Sequence, residues 1–391
     1  MGYYLSEPID FDAHNEEVRA VWDAYNAGKP IRVPVILGVN PRVILLNPEL
    51  NSDKITFADY MEDPDVMAAV QLRTQSYVRY NLLQDAEMGP PKTGWSISID
   101  TQNTFEAAWF GAKIIQREWQ VPVTEPVLRD DNKRMLFDRG IPDPFKGGMA
   151  AWNWRFYEHL HANKNRYVQD GQPVVSVTPA GMGTDGPMTI AASLRGATEI
   201  CADIYEDPDY VRELLEYITS ATIERIKAYR RALSQDIKPK SWAFADDSIE
   251  LLSPATYREF VLPCHRVLLN ELAGEGPHSV HLCGGVDHLM PILKEELNIS
   301  AWDAGYPMDY RSMRAKLGPA FQIATGPRVS TLLHGTPEQV LDETKAILSS
   351  GIAEGKFILR EANNLCPCTP VENVAMMYET ARRYGWYANT L

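Results

Sequence analysis

The run HSVHLCGG places His281 and Cys283 two residues apart. An imidazole nitrogen and a thiolate sulfur are the donor types that hold zinc. The run reads as a β-strand, and side chains at i and i+2 of a strand share one face. Both donors therefore point the same way, while His278 falls on the opposite face. Gly284 and Gly285 allow a sharp turn toward a helix near Asp287. Further along, ANNLCPCTPVEN carries Cys366 and Cys368. They follow the strand-like run KFILRE and precede a helix start, where the local field favours a thiolate. A His-Cys-Cys set with one open position suits a catalytic zinc. Taken singly, H-x-C also fits a core histidine beside a buried thiol, and C-P-C fits a redox pair or simple packing.

These residues need elements that bring them together. Short apolar runs of strand length lie at 34–39, 174–177, 241–246, 278–283, 299–304, 321–326 and 356–361. Continuous apolar runs bounded by turn residues suit strands buried on both faces. Between them, Asp63, Asp207, Ser253, Thr336 and Thr369 each stand before a proline, the N-cap and first-turn signature of a helix. The helices expected there span 64–83, 208–231, 254–273, 337–350 and 370–384. Thr336 with Gln339, and Thr369 with Glu372, complete capping boxes. Alternation of strand and helix is regular from about residue 170 and implies a parallel sheet. Strands end in Asp246, Cys283, Asp303 and Glu361, which suits a barrel with its site at the strands' C-terminal ends. The expected fold is α/β: a (β/α)8 TIM barrel with an N-terminal extension, residues 1–391 forming one domain. The Trp- and Pro-rich segment 85–170 is an insertion, either a lid or pocket wall or packed loops closing one end.

Composition removes other classes. The chain has 391 residues, with 38 Lys and Arg against 52 Asp and Glu, a formal charge of −14. An acidic chain without a basic run is a poor partner for phosphate backbones, so no nucleic acid is expected. No apolar stretch is long enough to span a membrane. The N-terminus lacks the basic and apolar segments of a signal peptide, although residues 2–6 meet the loose myristoylation pattern. Five cysteines, an odd number, argue for metal or catalytic use over disulfides and for a cytoplasmic location. Cys264 and His265 fall mid-helix and read as structural.

Several segments, in order, resemble the uroporphyrinogen decarboxylase superfamily. They are GPMTIAASLRGATEICADIYEDPDYVRELLEYIT, FADDSIELLSPATYREFVLPCHRVLLNEL, HLCGGVDHLMPIL and TPVENVAMM; GKPIRVPVILG resembles the opening strand more faintly. The resemblance implies a barrel and one of two chemistries. The decarboxylase branch binds a porphyrinogen through an arginine-rich segment after the first strand. Here GVNPRVILLNPELN offers only Arg42. The other branch contains zinc- and corrinoid-dependent methyltransferases, with H-x-C and a distant cysteine as zinc ligands. His281 and Cys283 match the first two. The third is expected at Cys366, with Cys368 as the alternative, although the family cysteine aligns nearer Asn363. No D-x-H-x-x-G signature is visible, so the corrinoid (a cobalamin) is expected on a separate partner protein. The expected reaction moves a methyl group from a small methoxylated, aromatic donor to Co(I), an O-demethylation. The alternatives are transfer from a methyl-corrinoid to a thiol, and decarboxylation. Asp246 and Asp247 are expected to bind a substrate hydroxyl or orient His281. Trp242, with Phe244, Trp302 and the aromatics of 95–154, is expected to clamp a substrate ring. Asp303 joins them as a strand-end acid.

Overall fold

The computed structural model describes residue 5 and residues 7–387; the myristoylation pattern at residues 2–6 lies outside these, Leu5 apart. Helix starts follow the capping signals. Asp63 accepts from Asp65 N–H ahead of Pro64–Asn81, and Asp207 from Tyr210 N–H ahead of Pro208–Ala232. Ser253 accepts from Thr256 N–H, and Thr336 makes the full box with Gln339 ahead of Pro337–Leu348. Each cap satisfies an amide that the first turn leaves without a helical acceptor. Thr369 departs from expectation. The last helix runs Val371–Tyr384 with Pro370 as its N-cap. The Thr369 hydroxyl instead donates back to the Cys366 carbonyl at 2.8 Å, closing the Cys366–Pro367–Cys368 turn.

The helix expected at 254–273 is interrupted. It runs as Pro254–Thr256, a π turn at Tyr257–Val261, then Leu262–Leu272. Pro263 supplies the reason. It has no N–H for the Glu259 carbonyl, and its ring crowds that carbonyl. A wider i→i+5 turn relieves both.

The described residues form two compact units. The first comprises residues up to Ile97, Leu160–Val177 and those from Asp303 onward; the second comprises Ser98–His159 and Thr178–Trp302. The strands that matter here are β1 (Gln172–Thr178), β2 (Ala243–Ala245), β3 (His278–Leu282), β4 (Ile299–Ala304), β5 (Gln322–Thr325) and β6 (Phe357–Leu359). In the second unit β2 and β3 pair in parallel, Ala243 opposite Ser279, Phe244 opposite Val280 and Ala245 opposite His281. In the first, β5 and β6 pair in parallel, and every residue of β6 is buried. The run 34–39 makes one parallel bridge, Val35 to Leu359, and no longer ladder. Its later amides are taken by side chains: Leu37 N–H by Gln84 Oε1 at 3.0 Å and Gly38 N–H by Glu361 Oε1 at 2.8 Å. An amide bound to a side chain is withdrawn from the sheet.

The segment 85–170 is folded, with helices Phe105–Trp109, Met135–Arg139 and Gly148–Asn163 and the strand pair Lys113–Ile115 and Val123–Glu125. Within the second unit its aromatics pack on one another and on the helix Pro208–Ala232: Trp154 lies 5.1 Å from Tyr229 and 5.0 Å from Phe145. Among the described residues no helix is long and apolar enough to cross a membrane.

Candidate metal centre

The alternation of β3 sets the centre. His278, Val280 and Leu282 are buried, while Ser279 and His281 lie on the more open face. Cys283 follows on that open face, and its Sγ is 3.2 Å from His281 Nε2. His278 turns the other way and accepts Trp242 N–H at 3.3 Å; burial holds its imidazole below the usual range. The parallel register then brings in a third group. With Ala245 opposite His281, Asp247 falls opposite Cys283, and Asp247 Oδ1 accepts Cys283 N–H at 2.7 Å. The ligand atoms of Asp247, His281 and Cys283 lie within 4.8 Å of one another. Gly284 turns the chain just past β3 at φ +80°, where a Cβ would meet the Glu250 carboxylate. The left-handed backbone favours glycine here, whereas the Glu250 carboxylate, at the end of a flexible side chain, can move aside.

The donors fit a zinc ion. With Zn–S near 2.3 Å and Zn–N near 2.0–2.1 Å, tetrahedral geometry separates sulfur and nitrogen by roughly 3.5 Å. The observed 3.2 Å needs only a small adjustment. The surroundings favour a cation. Burial, reinforced by Asp246 and Glu250, pushes the Asp247 carboxyl above its usual range, against the pull of Cys283 N–H and His281. Asp185 is pushed up to about 7, first by burial and then by Glu106 and Asp247. Its neighbour Glu106 is held by Arg225 at 2.5 Å and accepts Asp185 N–H. A cation beside these carboxylates would relieve their repulsion.

Residues 173–384 match the family described as Uroporphyrinogen decarboxylase (URO-D). The chain belongs to this family. Its fold is the family's TIM barrel. A solved methyltransferase from Methanosarcina mazei shares it, with a TM-score of 0.64 and 17% identity over 94% of this chain and 98% of that one. Among curated relatives, a methylated-thiol–coenzyme M methyltransferase of Methanosarcina mazei is 29% identical over 193 residues, 48% of each chain. A uroporphyrinogen decarboxylase of Anaeromyxobacter sp. is 26% identical over 208 residues, 51% of this chain and 57% of the relative. The chain thus spans about half the length of the curated relatives it matches.

Within this uroporphyrinogen decarboxylase-family barrel, the expected site residues separate. Asp247 joins His281 and Cys283, but Asp246 does not face a substrate. It is fully buried, and four donors fill its two oxygens: Thr189 N–H at 2.7 Å and Thr189 Oγ1 at 2.8 Å on Oδ1, Met188 N–H at 3.1 Å and His265 Nε2 at 2.9 Å on Oδ2. Successive residues leaving a strand point to opposite sides, so only one of the pair reaches the open face. Trp242 is corrected too. It precedes β2, at the end away from Asp246, and packs on Ile223, Ile226, Leu268 and Leu272. Phe244 stacks on it at 6.0 Å, and Trp302 is buried with its indole N–H on the Leu282 carbonyl. His265 is structural as expected, between Asp246 and Tyr257.

Asp303, Cys366 and Cys368 lie in the first unit. Asp303 pairs with Arg360 Nη1 at 2.6 Å, and Arg360 also holds Glu361 at 2.9 Å. Glu361 is fully buried, and burial pushes it up to about 7 against the pull of Arg360. Cys366 is half-buried; burial raises its thiol, Arg42 opposes the rise and Glu361 adds to it. Cys368 is exposed at φ +65°. Sequence reasoning missed Asp185, Glu106 and Arg225. The sequence offered only a partial signal, a glycine before the helix-starting Pro187; that this turn abuts Asp246, where a Cβ at Gly186 (φ +86°) would collide, is seen only in the fold.

Proposed function

We propose that this chain is a zinc-dependent methyltransferase that moves a methyl group from a small methoxylated, aromatic donor to the Co(I) corrinoid of a separate protein. The observation that carries the reading is the same-face His281–Cys283 pair with Asp247 against it, in a chain of this family. His281 and Cys283 would hold the zinc. Asp247 is a further donor beside them in the same unit, and Cys366, with Cys368 as the alternative, is the third donor that the family resemblance implies. When bound, zinc supplies a Lewis acid for the oxygen or sulfur of the methyl donor or acceptor. The chain's own groups do the rest. Asp247 fixes the Cys283 amide and so the direction of its thiolate. Asp185, whose carboxyl is raised by burial, Glu106 and Asp247 in the metal-free chain, lies beside these groups and adds to the negative field that a zinc ion would meet. The free state of all five cysteines suits a reducing, cytoplasmic setting.

The thiol-directed reading is favoured by one specific observation, the name of the 29%-identical relative, a methylated-thiol–coenzyme M methyltransferase. Decarboxylation is supported by relatives such as that of Anaeromyxobacter sp.. One experiment separates the three. Purified protein is incubated with reduced corrinoid protein and a panel of methoxylated aromatics, and Co(I) absorbance is followed. Conversion to methyl-Co(III) is the expected result. Methyl loss from methyl-Co(III) on adding a thiol, with no ether demethylation, assigns the second reading. A chain with no bound zinc that decarboxylates a porphyrinogen assigns the third.

A further inference from the structure

The strongest feature that the metal centre does not absorb is the closed hydrogen-bond chain beneath it. Tyr257 OH lies 3.0 Å from His265 Nδ1, and His265 Nε2 lies 2.9 Å from Asp246 Oδ2. A carboxylate only accepts, so Nε2 carries a proton; in the neutral imidazole Nδ1 then accepts from Tyr257 O–H. Asp246 Oδ1 takes both the amide and the hydroxyl of Thr189. The Thr189 hydroxyl, its proton spent on Asp246, accepts the Ser248 amide at 2.9 Å. Residues 246 and 248 are therefore both tied to Thr189, one by its side chain and the other by its backbone. Asp247 sits between them. Gly186, where an added Cβ would collide with the Asp246 side chain, lets the backbone close on this chain.

We propose that Thr189 is a positioning residue for the metal centre: with Asp246, His265 and Tyr257 behind it, it holds the residues on both sides of Asp247, one by its side chain and one by its backbone, and so aims that carboxylate at Cys283 and the ion. This rests on the reading of Asp247, His281 and Cys283 as a zinc site. Asp247 spans two tasks, accepting Cys283 N–H and offering a ligand oxygen, so a small rotation of its backbone costs both. Groups of this kind around metal ligands are worth roughly 10–100-fold in metal affinity. Thr189→Val keeps the shape and removes both hydroxyl bonds. Thr189→Ser keeps both bonds and loses only a methyl group.

The test measures Zn(II) affinity by chelator competition and the ligand-field spectrum of the Co(II)-loaded protein, with thermal unfolding of the metal-free protein alongside. Thr189→Val is expected to lose about 10–100-fold in Zn(II) affinity and to shift the Co(II) bands, while Thr189→Ser matches wild type in both. If Thr189→Val does not fold, His265→Gln is measured in its place, with the same loss expected. Wild-type affinity and spectrum in Thr189→Val overturn the proposal, as does a lowered unfolding temperature with no change in either metal readout. Wild-type protein that binds no zinc overturns the metal-site reading itself, and is told apart because it concerns no variant.

Discussion

Asp246→Asn distinguishes a buried structural acid from a substrate contact. The exchange conserves shape and replaces one oxygen by an NH₂ group, which meets donors. If the NH₂ takes the Oδ1 side, Thr189 N–H loses its acceptor, since only the Thr189 hydroxyl can rotate. If it takes the Oδ2 side, His265 can change tautomer and accept, with Nδ1–H donating to Tyr257, and only Met188 N–H is orphaned. That bond is the longest of the four, 3.1 Å, so the second orientation is preferred. One buried amide without an acceptor costs about 1–3 kcal/mol, and the loss of charge from the remaining bonds adds to it. Partial relief of repulsion with Asp247 and Asp185 offsets some of this. The expected loss is about 2 kcal/mol for Asp246→Asn, against at least about 4 kcal/mol for Asp246→Ala, where all four donors are orphaned. Urea unfolding of the zinc-loaded variants measures the difference. With zinc held saturating, steady-state methyl transfer measures the donor KM, which is expected to stay within about twofold of wild type because Asp246 is wholly buried and reaches the centre only through Asp247. Equal destabilisation by the two substitutions would refute the donor count. A stable Asp246→Asn with a tenfold higher donor KM would refute the structural role.

The other outcomes concern the ligands, the turn and the pH response. His281→Ala and Cys283→Ser should each abolish stoichiometric zinc by metal analysis. Asp247→Ala is expected to lose zinc while Cys366→Ala and Cys368→Ala keep it; the reverse pattern assigns the third ligand to the cysteine that loses it. Gly284→Ala should destabilise by about 1–2 kcal/mol from the left-handed backbone alone, with more from the contact with Glu250. Adding Glu250→Ala should recover the contact and leave the backbone cost, and full recovery would show that no backbone strain exists. Asp185, raised to about 7, binds its proton more tightly folded than unfolded. It therefore contributes stability below its ordinary range that is lost as pH rises through about 7. Metal-free Asp185→Asn should match wild type near pH 4, and exceed it progressively toward pH 8 in thermal unfolding; a difference independent of pH counts against the raised carboxyl.

Local signals carried far in this chain. Period and capping located Pro208–Ala232 and Pro337–Leu348 to within two residues at either end, because a cap is a bond between neighbours in sequence. The i, i+2 rule placed His281 and Cys283 together for the same reason. The π turn was legible in principle from Pro263 in mid-helix, a local clash. Thr369 failed as a cap because two local bonds compete for one hydroxyl, and spacing does not rank them.

The separation of Asp246 from Asp247 was beyond such reasoning. Two adjacent carboxylates after a strand look alike in sequence. One is buried under Thr189, Met188 and His265, which are 57, 58 and 19 residues away, and the other faces Cys283, 36 residues away. Trp242 likewise looks like a strand-end aromatic until its place at the far end of β2 is seen. The sequence by itself determined which residue types carry the chemistry and which strand face presents His281 and Cys283, since both follow from composition and a two-residue period. Only the tertiary structure brought Asp247 beside His281 and Cys283, because that depends on the register of β2 against β3, a pairing between segments held together by packing and not by any local rule.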